Sequence, residues 1–217
     1  LDGAHEVTLS ADGKHAYVTG YQDDAVSWYE RNASTGALTY GGVLKDGVGG
    51  VDGLDWANRA ELSADGNHAY VTGYADDAVS WYERNASTGA LSYGGMLKDE
   101  VNGVDGVGGA EIVTLSTDGK HAYVTGNADS AVSWHERNST TGALTYGGML
   151  KDGVNGVDGL DGSWVIILSA DGKHAYVTGM SDDAVSWYAR DPLTGALSYG
   201  SASDANYTLT AADAGSV

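Results

Sequence analysis

Seven residues of this chain have the chemistry for a site and stand where the rest of the sequence does not predict them: His5, Glu6, Trp56, Asn58, Arg59, Glu111 and Trp164. Two indoles offer flat apolar faces that can cover the C–H face of a sugar ring, while the polar and charged groups take its hydroxyls. The imidazole and carboxylates could instead serve a hydrolase as acid, base or metal ligand. A structural role competes with both, because strands converging on one axis need unlike side chains to fill the space between them. No G-x-S-x-G elbow, H-E-x-x-H pair or P-loop accompanies them, so no catalytic motif is legible.

Two further sets recur along the chain. Asp23, Asp76, Asp129 and Asp182 fall in "YQDD", "YADD", "NADS" and "MSDD", beside Tyr21, Tyr74, Asn127 and Met180. Equivalent groups around a ring suit a multivalent binder. An Asp in such a loop also suits an Asx turn, bonding its own backbone. In "DGVNGVDGLDG", Asp152, Asn155, Asp158 and Asp161 fall three apart. They offer the oxygen ligands calcium takes, and read equally as glycine-punctuated turns. No cofactor is required by the binding readings, and calcium is the ion these aspartates suggest.

The elements that position these groups follow from a repeat. "LSADGKHAYVTG" begins at Leu9 and returns almost unchanged at Leu62, Leu115 and Leu168, each time 53 residues on. A period of this size marks a solenoid, a propeller or an array. Units 1–53, 54–106, 107–159 and 160–212 make one domain spanning 1–217, with a tail that leaves the register from about residue 201. In the first unit, Glu6–Ser10, His15–Gly20, Ala25–Asn32 and Ala37–Lys45 alternate or are β-branched and aromatic, and read as strands. "ADGK" and "ASTG" between them are turn sequences. No segment keeps a helical period. Four short antiparallel strands per unit make a propeller blade, so the chain is expected to be all-β, with four blades forming a closed ring. His15, His68, His121 and His174 begin the second strands and read as blade residues; His135 stands where other units have Tyr.

The net charge of −19 argues against nucleic acid and against anionic membranes, both of which call for a basic face. The longest apolar run, Trp164 to Leu168, has the length of a strand, so no membrane insertion is expected. With no Cys, disulfides and thiol catalysis are excluded. A homo-oligomer is compatible with the repeat.

The strings "LSADGKHAYVTG", "DDAVSWYERN" and "STGALTYGG" resemble the YVTN-type propeller repeats of bacterial secreted and surface proteins, which also occur in lactonase-like propellers. The resemblance covers Leu1 to Gly200. It implies that the first strand of each blade lies innermost. It also implies that the loop leading into that strand and the loop after the second strand share the rim that holds a ligand. Propellers of this kind often have about seven blades, whereas four repeats stand here; they can close as a compact ring, which is the favoured expectation, pair with a second chain, or be a piece of something longer. The tail "YTLTAADAGSV" looks like a stretch of Ig-like surface repeats. Function is therefore expected to be a non-catalytic, extracellular or cell-surface binding module, lectin-like, with a carbohydrate or cell-surface glycan as partner. Two alternatives stand beside it. One is a lactonase-like hydrolase with an axial metal on His5, Glu6 or Glu111, and the other a structural or adhesive module of a large surface protein.

Overall fold

The computed structural model describes residues 1–204, and the Ig-like tail lies outside them. Each repeat folds as a four-stranded antiparallel meander, so the described residues hold sixteen strands in four sheets. The first sheet is β1 (Ala4–Leu9), β2 (His15–Gly20), β3 (Ala25–Arg31) and β4 (Leu38–Lys45). The second is β5 (Ala57–Leu62), β6 (His68–Gly73), β7 (Ala78–Arg84) and β8 (Leu91–Lys98). The third is β9 (Ala110–Leu115), β10 (His121–Gly126), β11 (Ala131–Arg137) and β12 (Leu144–Lys151), and the fourth β13 (Ser163–Leu168), β14 (His174–Gly179), β15 (Ala184–Arg190) and β16 (Leu197–Asp204). This is the all-β, four-bladed propeller read from the repeat.

Turn chemistry sets the strand limits. The Ser10 hydroxyl donates to Asp12 and accepts from the His15 amide, and Asp12 also takes the Lys14 amide, which closes the β1–β2 turn. The "YGG" of β4 has a packing cause. Trp28 lies across that backbone, and a Cβ at Gly42 would stand 2.3 Å from its ring. The ladder shifts register at this point in all four blades, as a bulge does when it makes room for a side chain.

The hydrophobic core is divided among the seams between blades. Tyr17 and Val26 of the first blade pack with Leu54, Ala60 and Tyr82 of the second. Tyr70 and Val79 meet Val107 and Val113 of the third, and Tyr123 and Val132 meet Leu160, Ile166 and Tyr188 of the fourth. Each seam is also clasped by an arginine. Arg84 donates from Nη2 to His15 Nδ1 (2.9 Å) and from Nε to the Tyr17 hydroxyl, which donates to the Gly89 carbonyl (2.9 Å). Arg137 repeats this on His68 and Tyr70, and Arg190 on His121 and Tyr123. Burial and the adjoining guanidinium lower the pKa of all three His, keeping them neutral acceptors.

The expected closure of the ring is not what the structure shows. Inner strands pack in the series β1–β5–β9–β13, and no comparable packing joins β13 back to β1 among the described residues. The four blades form an open arc.

His135 is the one blade residue left badly satisfied among the described residues. Its equivalents Tyr82 and Tyr188 put their hydroxyls on Ser80 and Ser186, whereas His135 places Nε2 on Ser133 and leaves Nδ1 buried without a partner. Complete burial pushes its pKa down to about 3. Below the ordinary histidine value near 6.5, the unfolded chain takes up a proton that the fold refuses, so stability is lost as pH falls through that range. His135→Tyr is expected to raise the unfolding free energy by about 1–3 kcal/mol. Thermal melts at neutral and mildly acidic pH should show a larger gain at the acidic pH, and a smaller gain there would refute the assignment.

Candidate active site

Because the inner strands pack in series, the residues that begin them share one mouth. Its outer part is a cleft of about 550 Å³ lined by His5, Tyr21, Trp56, Asn58, Tyr74, Glu111, Asn127, Trp164 and Met180. A deeper recess of about 240 Å³ adjoins it, lined by His5, Glu6, Asn58, Arg59, Glu111 and Trp164. The seven residues that broke the repeat are thus brought together, although they come from the four inner strands and, for Trp56, the loop entering one of them, spread over some 160 positions.

An aromatic wall forms one side. Tyr21 stacks on Trp56 (5.0 Å between centroids) and Trp56 on Tyr74 (5.9 Å), with His5 against Tyr21 (5.6 Å). Trp56 holds a left-handed backbone, φ 53°, where its counterparts Gly3, Gly109 and Gly162 hold φ 61–63°. Glycine takes that conformation freely and a bulky side chain does not. The Asp24 carboxylate, accepting the Trp56 amide at 3.0 Å, helps to hold it there.

The floor is polar and partly buried. Glu111 is 4% exposed, and the Asn58 amide donates to its Oε2 at 2.5 Å. Burial raises the Glu111 pKa, opposed by the Asn58 bond and by His5. Its other oxygen, Oε1, takes no hydrogen bond among the described residues. Glu6 accepts from Arg59 Nε at 3.0 Å and from the Ala60 amide at 3.0 Å. His5 Nδ1 faces the Asn58 carbonyl at 3.1 Å. With Glu6 held by Arg59 and Glu111 by Asn58, the axial donors do not converge on one point. Among the described residues, none of the acidic or histidine clusters tight enough for a metal includes His5, Glu6 or Glu111. The axial metal of the hydrolase alternative therefore does not fit this donor set.

The recurrent aspartates serve the backbone. Asp23, Asp76, Asp129 and Asp182 accept the amides of Asp2, Asp55, Gly108 and Asp161, and the first three also hold Lys45, Lys98 and Lys151. Their neighbours Tyr21, Gln22, Tyr74, Asn127 and Met180 reach the mouth, and the aspartates themselves do not line it. The suggested calcium set is also divided. Asp152 and Asp158 gather with Asp182, while Asp161 lies outside that cluster. Asp152 accepts the Leu160 amide, Asp158 the Gly159 amide, and Asp161 the Ser130 hydroxyl. The same triad recurs as Asp46, Asp52 and Asp76, and as Asp99, Asp105 and Asp129. In the last, burial and the two neighbouring charges push Asp99 up to about 6.

Glu61 escaped attention in the sequence. Burial pushes its pKa up to about 7 in β5, although it lines neither cavity of the mouth. The available signal was a carboxylate at a position that is Thr8, Thr114 or Ile167 in the other repeats.

The family model described as lactonase, 7-bladed beta-propeller matches residues 2–102 and 60–207. Among solved structures, the periplasmic gluconolactonase of Pseudomonas aeruginosa is 21% identical, with a TM-score of 0.77 over 93% of this chain and 54% of its own. A candidate 6-phosphogluconolactonase of Bacteroides fragilis is 22% identical, with a TM-score of 0.73 over 90% of this chain and 53% of its own. One from Bacteroides uniformis is 17% identical, with a TM-score of 0.75 and the same coverage. This chain thus spans about half the length of each. No curated protein matches it. The family match overturns the expectation of a non-catalytic lectin. Aromatic faces above polar groups are common to lectins and to enzymes that act on sugar derivatives, so the residue types alone pointed to the wrong class.

Replacing Trp56 separates backbone strain from side-chain contact. Trp56→Gly is expected to be more stable than Trp56→Ala by about 1 kcal/mol, the reverse of the usual order, because both lose the stacking and only glycine relieves the left-handed backbone. Chemical denaturation of the two variants checks this, and equal midpoints would refute it.

Proposed function

This chain belongs to the lactonase family of seven-bladed β-propellers, and from that premise we propose that it hydrolyses a lactone, the cyclic ester of a sugar acid, at the axial mouth. The observation that carries the proposal is Glu111, a buried carboxylate of raised pKa on the floor of an aromatic-walled cleft, with one oxygen fixed by Asn58 and the other open. The lactonase names of the structural neighbours support the same reaction class.

In this reading Trp56 and Trp164 flank the sugar ring and turn its ester carbonyl toward the floor. Glu111 Oε1 takes a proton from water as the water oxygen bonds to the carbonyl carbon, which is general-base catalysis. Arg59, in the same recess, faces the negative charge that develops on the carbonyl oxygen. The ring C–O bond then breaks, and the proton held by Glu111 passes to the departing ring oxygen. Asn58 is a positioning residue, because it fixes which carboxylate oxygen is free. No step passes through a metal. The same proposal places the protein outside the cytoplasm, supported by the resemblance of its repeats to those of secreted and surface proteins and by the periplasmic neighbour.

Titration of the acid released from D-gluconolactone tests this. The wild-type chain is expected to turn it over, and Glu111→Gln to lower kcat at least about 100-fold with an unchanged circular dichroism spectrum. Because the base must be ionised, kcat/KM should rise with pH through a pKa above the ordinary glutamate value, and that limb should vanish in the variant. A wild-type chain without turnover, or a variant with the same pH limb, overturns the assignment.

A further inference from the structure

The two ends of the arc expose the two halves of one seam. Blades one to three each present a His, a Tyr and a Thr to the next blade, whose Arg and Gly carbonyl receive the first two. Thr19, Thr72 and Thr125 donate across the same seams to the carbonyls of Asn58, Glu111 and Trp164. In the fourth blade the corresponding groups are His174, Tyr176 and Thr178, and none has an interblade partner among the described residues. His174 instead rests edge-on against Trp187 of its own blade, at 6.2 Å. Tyr176 is 40% exposed where Tyr17, Tyr70 and Tyr123 are fully buried.

The first blade shows the reverse. Arg31 keeps the bond to its own turn, Nη1 to the Gly13 carbonyl at 2.9 Å, and lacks the bonds that Arg84, Arg137 and Arg190 make across a seam. Leu38 is 49% exposed where Leu91, Leu144 and Leu197 are buried. A Cβ at Gly89, Gly142 or Gly195 would stand 2.4 Å from the His ring of the preceding blade, while the space around Gly36 is empty to 4 Å.

We propose that a second copy of this chain occupies these faces head to tail, with His174 and Tyr176 of one copy received by Arg31 and the Gly36 carbonyl of the other. The chemistry is complementary, a guanidinium and a carbonyl on one side against a neutral imidazole and a phenol on the other, and it continues an interface this chain already makes three times. The contact is heterologous, so two copies form a closed ring wherever the rotation permits. Such a ring would hold eight blades, within the range of four to eight that propellers use. It would also wall the open side of the axial mouth.

Sedimentation equilibrium tests the proposal independently of any activity. The wild-type chain is expected to show a concentration-dependent mass reaching at least twice the 22.3 kDa of one chain. Because each copy carries −19, association should strengthen with added salt. Arg31→Ala and Tyr176→Ala each alter an exposed end and leave the three internal seams intact, so each variant should fold and sediment as a single chain. Mixing the two restores association, because the fourth blade of the Arg31 variant and the first blade of the Tyr176 variant are both unaltered. A wild-type chain of single mass at every concentration overturns the proposal. Association indifferent to both substitutions overturns it as well.

Discussion

The arginine clasp is the interaction on which the rest of this structure depends. A guanidinium removed from water is costly unless hydrogen bonds and charge partners replace its hydration. Arg84, Arg137 and Arg190 are all buried, and each is held by its own turn carbonyl together with a His and a Tyr of the preceding blade. Two of them also approach the Asp65 and Asp118 carboxylates of that blade. The apolar surface of the seam favours association without direction; the clasp fixes which strand faces which. A blade moved by one residue would lose the clasp and keep much of the grease.

Fixing the seams fixes the inner strands, and that leaves the mouth free to vary. The clasp engages the second and third strands of each blade, and the strand-initiating residues play no part in it. They can therefore differ from repeat to repeat without disturbing how blades join. Trp56 uses this freedom at some cost, in a backbone conformation that its three counterparts give to glycine. The return is an indole held between Tyr21 and Tyr74 over the buried Asn58–Glu111 pair.

The blade was legible because its signals are local. "ADGK" and "STG" turns, β-branched runs and a fixed period each act within a few residues, and the observed strands begin and end within two residues of those read from sequence. The mouth was legible for a different reason: four copies of one unit show directly which positions have left the pattern. What remained hidden depends on partners far along the chain. His15 reads as an ordinary strand residue, and its role appears only when Arg84 arrives from 69 positions away. Closure was hidden too, since four similar faces say that blades can join and nothing about how far the arc turns. The loop aspartates could be read as rim or as Asx turn, and the amides they accept fit neither, since each lies 21 positions away and ties the loop after the second strand to the loop entering the first. Glu61 was overlooked because a carboxylate in a strand is unremarkable until its burial is seen.

Identical seams also bear on how such a chain can change over generations. The outgoing face of every blade matches the incoming face of every other, so whole units can be lost or duplicated in the gene without creating a mismatched junction. Removing the second unit would set His15 and Tyr17 against Arg137 and Gly142, the same parts in the same places. The mouth has no such tolerance, because Trp56, Asn58 and Arg59 would leave together. Selection on repeat number and selection on the site therefore act on different residues, and the blade count can drift while the seams stay sound.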